Sequence, residues 1–282
     1  MSDLENEYYL NDEDLLRLVD SDPKAHEGGP SELWEQLECG RRYVLNRVAP
    51  EDPLAPNCMR RNAGSIAHKL TEYIDAGVDP TSHVTHECES PALAESLKLA
   101  WVIAEGYGQD FPAGFWGKLL ASEVKLRGAV GAGRLDRVWD MDQAALERIE
   151  ARFALNTNGP GVYLWDLKTS GMADKSLSTK YEWGPALYMY TNLALERWSG
   201  VRGMLFLNAV PHETKRDGTW TEFAAACYPV EGQRTELAHR RFQQMRALAT
   251  LNVAAGGCCN TTQCYFHGSA CRHRLTGACT GV

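Results

Sequence analysis

The chain has no long apolar run. No segment approaches the roughly eighteen apolar residues of a membrane-spanning helix. The N-terminus is acidic and has no apolar stretch typical of a secretory signal, so we expect no translocation and a cytoplasmic location. Internal repeats and low-complexity tracts are also lacking. These absences disfavour membrane and repeat proteins, and the length predicts one large domain or a core with an appended lobe.

An excess of positive charge is lacking too. The chain has 29 Lys and Arg against 37 Asp and Glu, which disfavours a uniformly basic nucleic-acid-binding protein. The charge is uneven, however: residues 1–30 read as an acidic tail, whereas residues 231–282 carry six Arg and two Glu. Phosphate contacts need only local positive charge, so this basic end is compatible with DNA. Arg240 and Arg241 are candidate DNA contacts, and a solvated helix face is the alternative.

Two aspartates and a lysine stand on strand-like segments. Asp136 lies in Gly-Arg-Leu-Asp-Arg-Val (133–138), and Asp166 and Lys168 lie in Tyr-Leu-Trp-Asp-Leu-Lys-Thr (163–169). Side chains two residues apart share a strand face, so Asp166 and Lys168 should project together, with Leu164 and Leu167 pointing elsewhere. Paired carboxylates can hold a divalent metal, and the ammonium can orient or deprotonate a water or neutralise a phosphate. A surface ion pair is the alternative.

The surrounding segments predict the order helix, strand, strand, strand, helix, strand. Apolar spacing predicts a helix over 62–74 with His68 on or beside its apolar stripe, and loose alternation predicts a strand over 119–126 that carries Glu123. A small-residue turn at 128–133 then leads into the next strand as a hairpin. Further elements are a long hairpin loop within 142–160, a helix over 181–198 and a strand over 201–210.

These motifs resemble those of RecB-like nucleases of the PD-(D/E)xK superfamily. The family pattern has a helix His, an acidic residue on an early strand, Gly-x-x-Asp, Asp-x-Lys-Thr, and a later helix with Gln-x-x-x-Tyr. The matching residues are His68, Glu123, Gly133 with Asp136, Asp166, Lys168, Thr169 and Tyr188. Gly184 stands at the Gln position, so the last motif is degraded. The resemblance covers about residues 31–280.

The resemblance implies a fold, a metal site and an activity. The fold is α/β, with a restriction-endonuclease-like mixed sheet flanked by helices and a nuclease core over residues 61–230. Mg²⁺ or Mn²⁺ is held by carboxylates and an imidazole, Lys168 positions the water, and single-stranded or end-containing DNA is hydrolysed. The implied metal ligands are Asp136, Asp166, His68 and Glu123. A nucleic-acid-binding protein without catalysis remains the rival function.

Aromatic residues cluster near the proposed site. Stacking of bases on such rings would suit single-stranded DNA, and the implied contact of Tyr188 with DNA fits that use. Aromatic residues at helical spacing also fill cores, which is the alternative. The cluster consists of Trp165, Tyr181, Trp183, Tyr188 and Tyr190.

Nine cysteines are many for a chain expected in a reducing compartment. Clustered cysteines there indicate metal binding rather than disulfides. The C-terminal segment within 231–282 contains Cys264, Cys271 and Cys279, and the segment 31–60 contains Cys39 followed by Gly-Arg-Arg-Tyr. Cys58, Cys88 and Cys227 are scattered and read as unligated thiols.

This arrangement resembles the four-cysteine iron–sulfur staple of some RecB-like nucleases. The resemblance implies a 4Fe-4S cluster held by Cys39, Cys264, Cys271 and Cys279, which would join both termini in a helical, cysteine-rich lobe. A four-cysteine Zn²⁺ site is the alternative, because tetrahedral zinc tolerates such spacing. Cys258 and Cys259 stay ambiguous as ligands.

Overall fold

The computed structural model describes residues 9–19, 30–48, 52, 54–55, 58–169, 181–182, 184–214 and 218–254, with the backbone alone at 38–42, 45, 48, 213 and 214. These residues form a five-stranded sheet with helices on both faces. The strands lie in the order β1 (Lys118–Gly128), β2 (Gly131–Met141), β3 (Gly161–Thr169), β4 (Val201–Thr214) and β5 (Gly218–Pro229). β3 and β4 are parallel and the other neighbours antiparallel, so the predicted mixed α/β architecture is confirmed.

Helices cover the two faces unequally. The first face packs against α1, α3, α4 and α5, and the second packs against α6, on which α2 and α7 lie. The helices are α1 (Asp12–Val19), α2 (Pro30–Val48), α3 (Met59–Asp75), α4 (Pro91–Asp110), α5 (Gln143–Phe153), α6 (Pro185–Leu195) and α7 (Glu236–Ala254), with short 3₁₀ turns at Pro80–Ser82 and Glu231–Arg234.

The residues of β3 alternate between the two faces. Trp165 and Leu167 belong to the core under α3 and α4, whereas Leu164 belongs to the core under α6. Because alternate strand residues share a face, Leu164 lies on the side of Asp166 and Lys168. The expectation that Leu164 points elsewhere is therefore wrong, and that for Leu167 is confirmed.

Three predicted elements differ from the structure. The predicted loop within 142–160 contains helix α5, because the Asp142 carboxylate caps it by accepting the Ala145 N–H at 2.8 Å and Ile149 continues its buried stripe. The helix predicted over 181–198 is interrupted, since Tyr181 and Glu182 are helical but Gly184 is extended and Pro185 then begins α6. Residues 12–19 of the predicted tail form α1, whose Leu15 is buried in the core.

Two elements were not predicted at all. Helix α4 lies beside α3 on the first face, and β5 completes the sheet next to β4. The helix predicted near 62–74 is confirmed but starts earlier, at Met59.

Helix α2 bends back on itself. The Glu32 carboxylate accepts hydrogen bonds from the Tyr43 hydroxyl and from Arg47 Nη2, the latter at 2.5 Å. In a straight helix these partners would be about 16 and 22 Å away along the axis, so the axis turns between Gln36 and Tyr43. Asn252 of α7 donates to the Gln36 carbonyl at 3.3 Å, which joins the N-terminal and C-terminal helices.

Candidate metal centre

Neighbouring elements converge where β2 and β3 separate. The β2–β3 ladder runs from the Met141–Gly161 pair to the Arg137–Trp165 pair and pairs no residues beyond it. At that point the Leu167 N–H donates to Asp136 Oδ2 at 2.7 Å, so a side-chain carboxylate takes the role of a ladder carbonyl. The carboxylate is thereby held between the strands, beside Asp166.

Three predicted ligands lie close enough for one cation. His68 from α3, Glu123 from β1 and Asp136 from β2 each offer a ligand atom, and these atoms all lie within 4.8 Å of one another. His68 Nδ1 is 3.2 Å from Asp136 Oδ2. Ligands of one Mg²⁺ or Mn²⁺ lie about 3 to 4 Å apart, so modest side-chain rotation would suffice. Two carboxylates and an imidazole suit Mn²⁺ particularly well.

The third carboxylate of the site, Asp166, is paired with the lysine. Asp166 Oδ2 lies 2.6 Å from Lys168 Nζ and forms an ion pair with it. The angles at the two groups are not those of a hydrogen bond. The Asp166 side chain is 3% exposed and that of Lys168 is 37% exposed. The Asp166 carboxylate is therefore buried, whereas part of the Lys168 side chain is exposed.

The two aspartates titrate very differently. Burial and the charge of Asp136 raise the pKa of Asp166 to about 6, despite the nearby ammonium of Lys168. Burial alone would also raise the pKa of Asp136, but His68, Lys168 and Arg137 hold it well below the usual range. Asp136 is thus the permanently charged member of the pair.

Neighbouring carboxylates raise the pKa values of both basic groups of the site. Burial lowers the pKa of Lys168, but the carboxylates of Asp166 and Asp136 outweigh it and raise the pKa overall. Because the Lys168 side chain is partly exposed, solvent reduces the size of this shift without reversing it. Burial likewise lowers the pKa of His68, and the charge and hydrogen bond of Asp136 raise it overall. Lys168 is therefore suited to act as a cation rather than as a base.

Glu123 has an unusual backbone. Its φ of 49° lies in the left-handed region, which non-glycine residues rarely adopt. Its neighbours Ser122 and Val124 still pair with Arg137 and Leu135 of β2, so the distortion is local and turns Glu123 alongside Asp136. Arg134 Nε lies 2.9 Å from the Glu123 carboxylate, and burial followed by the charge of Asp136 raises the pKa of Glu123. Such strain is typical of functional sites, and the sequence gives no signal for it.

Tyr190 is the helix tyrosine that faces the site. Its hydroxyl donates to the Arg134 carbonyl at 2.9 Å, and burial together with the charge of Asp166 raises its pKa. A Cβ atom on Gly133 would lie 2.6 Å from the Tyr190 ring, so the Gly of Gly-x-x-Asp lets the ring approach β2. Sequence reasoning selected Tyr188 for this helix, because the motif spacing does not reveal how the helix is rotated.

Tyr188 instead packs between α6 and α7. Its hydroxyl lies 2.8 Å from His239 Nδ1, and its ring stacks on Phe242 with the centroids 4.6 Å apart. The residue is only 6% exposed, so the core interpretation holds for it, as it does for Trp165 and Tyr190. Stacking of Tyr188 on a base of DNA, as predicted, would need an exposed ring, and the Tyr188 ring is buried. Trp183 lies outside the described residues.

The remaining predicted DNA contacts are exposed. Arg240 and Arg241 both lie on the solvent side of α7. Arg240 Nε lies 2.9 Å from Glu236, one turn earlier, which offsets part of its charge. Their contact with DNA stays a prediction.

The cysteine site is described only through the backbone of one member. Cys39 lies in α2, three residues after Gln36, but its side chain is outside the description. Cys264, Cys271 and Cys279 lie outside the described residues, together with the ambiguous Cys258 and Cys259. Among the described residues Cys58, Cys88 and Cys227 form no disulfide, and their interpretation as unligated thiols stays a prediction.

Comparisons with known proteins add no relative. No protein-family model matches the chain, and no curated protein sequence matches it. Among the described helices, none is long and apolar enough to cross a membrane.

Proposed function

We propose that the protein is a divalent-metal-dependent deoxyribonuclease with a restriction-endonuclease-like core. The observation that carries the proposal is one juxtaposition: the ligand atoms of His68, Glu123 and Asp136 lie within 4.8 Å of one another, beside the ion pair of Asp166 and Lys168. An ordinary surface ion pair would not need a buried aspartate between separating strands. Clusters of perturbed carboxylates in one place are typical of catalytic sites.

The residues divide the work by their charge and exposure. Asp136, Asp166, His68 and Glu123 would hold Mg²⁺ or Mn²⁺, and such a cation lowers the pKa of a bound water and polarises the scissile phosphate. Lys168 would bind a phosphate oxygen through its ammonium and orient the attacking water. The raised pKa of Lys168 argues against its use as the general base.

Single-stranded DNA is the substrate form that the surface supports best. Beyond Ala209, which pairs with Thr169, β4 continues with β5 alone. Its face continues that of Lys168 and carries the stack of His212 on Trp220, with ring centroids 4.2 Å apart. Trp220 is 44% exposed, about 13 Å along the strand from the residue paired with Lys168. A base of the bound strand could stack there.

The opposite face of this hairpin is anchored. Thr221 Oγ1 donates to the Val102 carbonyl of α4 at 2.9 Å. A hairpin fixed on one face can hold Trp220 at a constant distance from the site, which a mobile loop could not.

We also propose that an iron–sulfur cluster joins the two ends of the chain. Asn252 of α7, the last described helix, contacts Gln36 of α2. Gln36 precedes Cys39 by three residues in the same helix. Cys264, Cys271 and Cys279 follow Asn252 by 12, 19 and 27 residues in the sequence. A cluster of thiolates there would contribute folding energy. Zinc remains the rival ion.

The deciding experiment uses end-labelled DNA in four forms, single-stranded or double-stranded and linear or circular, with Mg²⁺ or Mn²⁺. We expect metal-dependent cleavage of linear single strands, lost in Lys168→Ala. Binding of DNA without cleavage in either metal would favour the non-catalytic function, to which Gly184 at the Gln position lends support. Cleavage of circular DNA would identify an endonuclease.

A further inference from the structure

Arg137 is a buried cation that the proposed chemistry does not use. It follows Asp136 directly on β2, and its side chain is fully buried beneath α3. Removing a guanidinium from water is costly unless its N–H groups are paired. The hydrogen-bond partners of Arg137 therefore indicate its role.

All the polar partners of Arg137 on α3 lie along one side of that helix. Nε lies 3.0 Å from Asp75 Oδ2, while Nη2 donates to the Thr71 hydroxyl at 2.9 Å and to the His68 carbonyl at 3.0 Å. Residues 68, 71 and 75 recur at helical spacing, so one guanidinium spans two turns of α3.

Asp75, the partner of Arg137 on α3, has a second partner on α4. The Tyr107 hydroxyl of α4 donates to Asp75 Oδ1 at 2.7 Å, which leaves the Asp75 carboxylate bonded through both oxygens. The Arg137 guanidinium also lies 5.2 Å from the centre of the Trp165 ring. Arg137 is thus fixed between the sheet and two helices and cannot easily shift.

His68 is consequently held twice by consecutive residues of one strand. Asp136 binds its imidazole Nδ1 at 3.2 Å, and Arg137 binds its carbonyl oxygen at 3.0 Å. A helix carbonyl already accepts a hydrogen bond within its own helix, so the bond from Arg137 is additional. It ties the turn that carries His68 to the strand that carries Asp136.

We propose that Arg137 is a positioning residue, which holds the His68 imidazole in reach of Asp136 and thereby sets the affinity of the site for Mn²⁺. The inference rests on the proposed metal site and names a residue outside it. Partners that orient metal ligands typically change metal affinity by ten- to a hundredfold when they are removed. Replacement of a buried ion pair by apolar residues is often neutral for stability, so a stabilising role alone does not account for Arg137.

The test is a double-mutant cycle read by Mn²⁺ binding, measured from the electron paramagnetic resonance signal of free Mn²⁺. Arg137→Met should weaken Mn²⁺ binding about tenfold or more. In a His68→Ala background the same change should alter the affinity less than about twofold, because the group that it positions is gone. The control is Tyr107→Phe, which loosens the same network without touching His68 and should leave the affinity unchanged.

Two results would overturn the inference. One is an equal loss of affinity from Arg137→Met in both backgrounds, which would mean that Arg137 acts on the fold at large. The other is an unchanged affinity in Arg137→Met itself.

A second pair of variants guards against misfolding. If Arg137→Met does not fold, the cycle is run with Asp75→Leu and Arg137→Met combined, since that pair leaves no buried charge unpaired. Absence of Mn²⁺ binding in the unmodified protein would instead refute the proposed metal site, so the two failures are distinguishable.

Discussion

Gly64 of α3 lies against Thr169, the last residue of β3. A Cβ atom on Gly64 would be only 2.4 Å from Thr169 Oγ1, a separation that real Cβ atoms do not show. The helix therefore crosses the end of β3 at the closest approach that a glycine allows. Because Thr169 follows Lys168 directly, this contact helps to set the position of the ammonium.

We predict that Gly64→Ala lowers the cleavage rate, although alanine has a higher helix propensity than glycine. Alanine in a helix interior normally gains about 0.5 to 1 kcal/mol over glycine. At Gly64 the clash with Thr169 should cancel that gain and lower the cleavage rate at least tenfold. Gly108→Ala in α4 is the matched control, because its Cβ would lie 3.7 Å from Ile74, an ordinary contact. It should stabilise the protein and leave cleavage unchanged.

Urea unfolding and single-turnover cleavage measure the two effects. Equal stabilisation by both substitutions, with unaltered cleavage, would mean that the Gly64 contact is not constraining. The comparison separates helix propensity, which both positions share, from the close approach, which only Gly64 has.

The sequence predicted those features that depend on local periodicity. The apolar spacing of Ile66 and Leu70 follows the helical period, and both are buried in α3 as expected. Alternation and a small-residue turn likewise predicted the hairpin of β1 and β2. The candidate ligands were found because they stand in these regular elements at motif spacing.

The features that the sequence did not predict depend on tertiary packing. The rotation of α6 about its axis decides that Tyr190 rather than Tyr188 faces Lys168, and motif spacing does not encode it. The left-handed backbone of Glu123 arises within a strand whose residue types give no turn signal. The role of Arg137 depends on contacts with residues more than sixty positions earlier in the chain.

We predict that Asp166→Ala and Lys168→Ala each abolish cleavage without unfolding the protein. The first variant would lose a metal ligand and the second the cation that steadies the phosphate, and neither side chain belongs to the apolar core. Lys125→Ala is the control, since Lys125 is an exposed lysine on β1. Cleavage at the unmodified rate in either site variant, with circular dichroism unchanged, would refute the site assignment.

His68→Ala should lower cleavage less severely, and excess Mn²⁺ should partly restore it. An imidazole suits Mn²⁺ better than Mg²⁺, and three acidic ligands remain to bind the ion. His83→Ala serves as the control, because His83 stacks on Tyr73 away from the carboxylates. Metal titrations of the cleavage rate measure the effect. Undiminished activity in both metals would leave His68 as a packing residue.

Trp220→Ala should weaken binding of single-stranded DNA about tenfold, because a stacked base contributes about 1 to 3 kcal/mol. Trp220→Phe should retain most of the affinity, since it keeps a ring. Trp34→Ala removes another exposed indole, from α2, and should have less than a twofold effect. Fluorescence anisotropy of labelled oligonucleotides measures the affinity. Hydrolysis of a small phosphodiester, too short to reach the hairpin, should be unchanged in all three variants. An equal loss of affinity in Trp34→Ala would show that the effect of Trp220→Ala is not specific to Trp220.

The proposed cluster predicts that replacing one cysteine destabilises the protein by releasing a contact between distant parts of the chain. Cys39→Ser and Cys271→Ser should each lose iron and sulfide, because three thiolates cannot complete the coordination that four provide. Loss of the cluster would release a closure of more than 200 residues, and the entropy of so long a loop makes its release destabilising.

Cys88→Ser is the matched control for that prediction. Cys88 is a free thiol, and burial raises its pKa to about 12, so it is poorly suited to act as a thiolate ligand. It should retain the full metal content and most of the thermal stability. Iron, sulfide and zinc are measured on each protein after anaerobic purification, and zinc in place of iron would identify the rival staple. Full cluster occupancy in Cys39→Ser would refute the bridge between the termini. In that case Cys258 or Cys259 must supply the fourth ligand, and the packing of α2 on α7 would hold the termini together without metal.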